Sequence, residues 1–66
     1  MTTQARAQER IKRIGDAKSE RDADHFESEA MGYLAALLDE GLLLQVEHAR
    51  LMTALRTQRL AWRKSA

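Results

Sequence analysis

The sequence predicts an all-α fold, an antiparallel helical hairpin with a long first helix. Composition, the spacing of apolar residues and the placement of glycine carry that expectation. The 66 residues contain no proline and three glycines, and Ala, Leu, Arg, Glu and Gln, all good helix formers, are abundant. Strand-favouring residues are few: Ile11, Ile14, Val46, Phe26, Tyr33, Trp62 and a handful of threonines.

The elements follow in order. Ala7, Ile11 and Ile14 stand at i, i+4, i+7, a thin apolar stripe on one helix face. Residues 16–24 are polar apart from Ala17 and Ala23. Phe26, Ala30, Tyr33 and Leu37 then form a second stripe, with Met31, Leu34 and Leu38 beside it. At ~100° per residue the two stripes differ by only about sixty degrees, which favours one continuous helix over residues 3–40. The alternative is a break near residue 23, with Asp22 or Asp24 capping a new helix. Gly41 is the clear punctuation mark, suited to the left-handed conformation that ends a helix. After a turn at 41–43, Leu44, His48, Leu51 and Leu55 repeat the helical spacing, with Met52 flanking. The second helix is expected over residues 44–63.

Length bounds the rest. Residues 1–66 make one domain, and so short a chain has a marginal core. Without cysteine, disulfides and thiolate metal sites are excluded, which leaves self-association as the remedy. The uncharged run 30–38 is apolar almost all round, with Gly32 and Ala36 permitting close helix approach. A helix of that kind is buried on more than one side. One side meets the second helix; the other calls for a second chain, hence a homodimer.

The net charge of +1 hides a segregated pattern. Residues 5–13 carry four bases against Glu9, residues 15–49 carry nine acids against Lys18 and Arg21, and residues 50–64 carry five bases and no acid. Folding at Gly41 sets Arg56 opposite Glu27 and Glu29, Arg59 near Asp24, and Arg63 near Glu20 and Asp22. Residues 2–19 then overhang the second helix by ~27 Å. That arm is basic, and alone in water it is a marginal helix, so it is expected to dock on a partner.

No secretory signal and no apolar run near the roughly twenty residues of a spanning helix is present. The expectation is a cytoplasmic chain without membrane contact. Ser19, Ser28 and Ser65 lack a His–Asp arrangement, so no catalytic residues are assigned and the chain is read as a non-enzyme. His25, near Asp22 and Glu29, falls short of the ligand set of a metal site. His48 lies in the apolar stripe of the second helix, as an interface residue. No metal ligand and no cofactor is expected. Residues 34–55 superficially suggest helix-turn-helix, but Glu47 occupies the position that must pack the recognition helix. Nucleic-acid binding, to DNA or RNA, is therefore the less favoured alternative.

The stretch from Leu34 through Gly41-Leu42-Leu43 to Glu47-His48 resembles the helix–turn–helix of SHOCT-type oligomerisation modules over about a third of the chain. Leu44 departs from that pattern because leucine cannot cap a helix. Size, the Ala/Arg/Leu-rich composition and residues 26–55 also resemble small phage-encoded helical-hairpin dimers, such as anti-activators of LuxR-type quorum-sensing regulators. That resemblance implies a protein-binding inhibitor or adaptor whose partner is a host transcriptional regulator, acting in the host cytoplasm. Rop-like regulators share the hairpin-dimer plan but bind RNA, and no Rop-specific residues are evident. Aromatic and arginine side chains are favoured interface anchors. The expected partner-binding set is accordingly Arg10, Ile11, Ile14, Phe26, Met31 and Tyr33.

Overall fold

A computed structural model describes residues 2–63. These residues are all-helical, in the order α1 (Thr3–Gly15), α2 (Glu20–Asp39) and α3 (Gln45–Ala61). Each helix packs on both of the others. Gln4 meets Glu47 at one end of α1, and Ala17 just beyond α1 meets Trp62 at the other, so α1 and α3 run parallel. α2 runs antiparallel to both.

The expected single helix over residues 3–40 is therefore corrected: the chain breaks at residues 16–19. The break differs in place from the alternative near residue 23. Gly15 ends α1, where glycine is about 1 kcal/mol less favourable than alanine inside a helix. Asp16 and Ala17 close the last turn by donating to the carbonyls of Arg13 (3.0 Å) and Ile14 (3.2 Å). Ser19 starts α2: its hydroxyl accepts from the Asp22 amide at 3.1 Å, the role of an N-cap. Thr2 caps α1 in the same way, accepting from Ala5. Cap chemistry at 19 and 22 thus outweighs the phase continuity of the apolar stripes.

Burial explains why the arm folds back. Ala7, Ile11 and Ile14 join Ala30, Leu34, Leu37, Leu43, Leu51 and Leu55 in one core, while Phe26, Tyr33 and Met52 pack at its margin. Fully burying each isoleucine contributes ~1.5–3 kcal/mol that an overhanging helix forgoes. α1 supplies the third layer that the hairpin reading assigned to a second chain.

The α2–α3 turn agrees with expectation. Gly41 has φ +74°, the Leu42 amide donates to the Leu37 carbonyl (2.9 Å) and the Gly41 amide to that of Leu38 (3.1 Å). This is a Schellman closure. Leu44 occupies the N-cap of α3 without any side-chain acceptor of its own. The Glu47 carboxylate accepts from the Leu44 amide (2.8 Å), half of a capping box. The Arg59 part of the α2–α3 register is the expected one: Arg59 donates to Asp24 Oδ1 through Nη2 (2.7 Å) and Nε (3.0 Å), with Glu20 at 3.8 Å, whereas Arg56 forms no ion pair with Glu27 or Glu29 and Glu29 meets Arg10 instead. Arg63 departs from it, donating to the carbonyls of Leu60 and Trp62 instead of reaching Glu20 or Asp22. α3 ends at Ala61, short of the expected 63. Lys64 lies outside the described residues.

Candidate protein-contact surfaces

Three helices make three grooves, and their linings differ in chemistry. Between α1 and α2 lie Arg6, Glu9, Arg10, Arg13 and Tyr33. The Arg10 guanidinium sits over the Tyr33 ring, 4.3 Å from its centroid, and its Nη1 is 3.7 Å from Glu29 Oε1. The other Glu29 oxygen is 3.0 Å from His25 Nε2, one helical turn away. This cation–π stack and its carboxylate orient Arg10 along the groove. Phe26 lies beside His25 and is half-buried against the core.

The groove between α1 and α3 is polar at its rim, with Gln4, Gln8, Glu47 and Arg50 over Leu51 and Ala54. The Gln4 amide donates to Glu47, which also caps α3. Toward the other end of α1, Gly15 lies against the end of the Gln58 side chain, which would have to shift to admit a Cβ.

The groove between α2 and α3 is apolar. Ala35, Leu38, Leu43, Leu44 and His48 line it, with Asp39 and Gln45 at the rim. Met31, 43 % exposed, lies one turn before Ala35 on the same face of α2. Leu42, Leu44 and Val46 are exposed around the turn, so four of the five exposed large apolar residues lie between 31 and 46. At the other end of this seam the Arg59–Asp24 pair closes it. Hydrogen bonding to Asp24, with the nearby charges of Asp24, Glu27 and Glu20, raises Arg59 above its usual pKa despite the opposing cost of desolvation.

The partner-binding set read from the sequence is dispersed. Arg10 and Tyr33 come together at the α1–α2 groove, and Phe26 packs at the margin of the core. Met31 faces the α2–α3 side. Ile11 and Ile14 are 5 % and 0 % exposed inside the core, so their assignment to a contact surface is corrected: the fold uses them to dock α1. The sequence reading missed Leu42 and Leu44. Of three consecutive leucines after a turn glycine, only Leu43 is buried. In the short connection between Asp39 and Gln45 three successive side chains cannot all turn inward, and that was the available signal.

His48, expected in the apolar stripe, is half-buried on the α2–α3 groove. Among the described residues no group of three or more His, Asp or Glu side chains is placed to hold a metal ion. None of the described helices is long and apolar enough to cross a membrane. No protein-family model, no curated protein and no solved structure matches this chain.

Proposed function

We propose that this chain is a non-enzymatic protein-binding module, a homodimer that inhibits or adapts another protein. One observation carries the reading: after the three helices have closed their own core, an apolar lane remains uncovered. It runs from Met31 through Ala35 and Leu38 to Leu42 and Leu44. Folding does not need these side chains in the open. Grouped exposure of this kind at one end of a small domain marks an interaction surface.

The lane suits a second copy. Ala35 within it and the small residues Gly32 and Ala36 beside it on α2 let two α2 helices approach closely, and no charged residue interrupts residues 30–38. An inhibitor of a transcriptional regulator, in line with the resemblance noted above, is the specific case we favour.

Sedimentation at micromolar concentration tests the assembly, with Met31→Glu and Leu44→Glu as controls. The expectation is a dimer that both substitutions convert to a folded monomer. A wild-type monomer at that concentration rejects it. Nucleic-acid binding has one observation in its favour: Arg6, Lys12 and Arg13 are exposed on α1 and have no ion-pair partner among the described residues. Phosphate-led binding weakens steeply with salt and apolar contact does not, so target binding measured from low to high salt separates the readings.

A further inference from the structure

The outward face of α3 carries an independent pattern. Val46, Ala49, Thr53, Thr57 and Leu60 stand at spacings of three and four, one continuous face of the helix, and all are exposed. Leu60 is 75 % and Val46 54 % exposed. The two threonines do not make this lane strongly polar. Thr53 donates its hydroxyl to the Ala49 carbonyl (3.1 Å) and Thr57 to the Thr53 carbonyl (2.9 Å), so both donors are spent within the helix. The lane is thus uncharged along the helix in a chain that is 32 % charged. By contrast, the outward faces of α1 and α2 carry Glu9, Lys12 and Arg13, and Arg21, His25 and Asp39, respectively.

Its edges are charged with one sign. Helical geometry sets Arg50 and Arg56 about sixty degrees to either side of the lane, and both are exposed. Neither has an ion-pair partner among the described residues. Asp24 and Glu20 engage Arg59, and Glu47 accepts from Leu44 and Gln4, so none of these three acids pairs with Arg50 or Arg56. A second α3 would set arginines against arginines, so the lane does not suit a copy of itself. From Val46 to Leu60 it extends ~21 Å, enough for about four turns of a facing helix.

We infer that the outward face of α3 is a docking lane for an amphipathic helix of the partner protein, one whose apolar stripe is bordered by Asp or Glu. The inference rests on the protein-binding reading above and names the chemistry of the partner. Apolar contact supplies the affinity, and the arginine borders select acidic over basic helices.

Two synthetic helical peptides with the same apolar stripe, one bordered by Glu and one by Lys, serve as probes against the full chain. Calorimetry should show binding of the Glu peptide, and amide NMR shifts should centre on Val46, Thr53 and Leu60. Leu60→Glu should weaken that binding by about tenfold or more. The double variant Arg50→Glu/Arg56→Glu should bind the Lys peptide instead. Equal binding of both peptides, no binding of either, or shifts confined to residues 31–44 overturns the inference. Sedimentation separates its failure from that of the broader reading: if Met31→Glu still converts a wild-type dimer to monomer, the dimer stands while the α3 lane falls. If the wild type is a monomer yet the Glu peptide binds at α3, the lane stands and the dimer falls.

Discussion

The two ends of the bundle are closed by different means. At the α1–α2 end, side-chain latches add to the backbone bonds of Asp16 and Ala17. The Trp62 indole N–H donates to the Ala17 carbonyl (2.8 Å), bringing the end of α3 over the first turn. Arg59 bridges to Asp24 and lies 5.6 Å from the centroid of the Trp62 ring. At the α2–α3 end, closure of the turn falls chiefly to the backbone through the Gly41 reversal, and Glu47 accepts from the Leu44 amide and from the Gln4 side chain of α1. Side chains recruited into a latch are not free for contact, whereas a turn closed by its backbone leaves Leu42 and Leu44 outside. The α2–α3 turn is therefore the end that leaves large apolar side chains exposed.

Several experiments sharpen that contrast, and the first has the largest effect. Deleting residues 2–14 removes Ala7, Ile11 and Ile14 from the core, leaving an open face on a domain with little stability to spare. The expected outcome is loss of the cooperative melt followed by circular dichroism; a truncated chain that still melts cooperatively would mean α1 is dispensable. Ile14→Ala should cost ~2–5 kcal/mol in urea unfolding, since Ile14 is fully buried. Leu60→Ala, on the exposed face of α3, should stay within about 0.5 kcal/mol of the wild type in the same assay.

The two turns can then be set against each other. Gly41→Ala forces a side chain into the left-handed region and should cost ~1–2 kcal/mol. Ser19→Ala removes the cap of α2 and should cost ~0.5–2 kcal/mol. Trp62→Phe keeps a ring but removes the bond to Ala17, at ~0.5–1.5 kcal/mol. Smallest in stability but large in assembly is Leu44→Ser, expected within about 0.5 kcal/mol of wild-type stability while weakening the proposed dimer. Comparable losses of stability from Leu44→Ser and Ile14→Ala would erase the distinction between the open end and the core.

Much of the α2–α3 half was legible without coordinates. Gly41 has a local reason to end a helix, and the charge pattern has one register that sets Arg59 beside Asp24. Both signals act between residues whose separation the helical repeat determines. The α1–α2 break was harder to read because Ala7, Ile11 and Ile14 keep nearly the same phase whether the helix continues or folds back. Gly15 and the Ser19–Asp22 cap pair were present as clues, four residues from one another, yet the matching phase of the two apolar stripes weighed toward continuity.

The sequence by itself determined that this chain is helical, that it reverses at Gly41, and that an acidic α2 meets a basic α3. Those outcomes depend on backbone propensity, one left-handed glycine and charges at helical spacing, all of which are local or periodic. Tertiary structure alone decided where Ile11 and Ile14 go. An apolar stripe shows that a face must be covered but not by what, and the covering surface turned out to be this chain's own Leu34, Leu51 and Leu55. The same closure decided which apolar residues remained outside. Met31, Leu42 and Leu44 are no less apolar than the core leucines, and they are exposed because α1 packed on the other side of the hairpin.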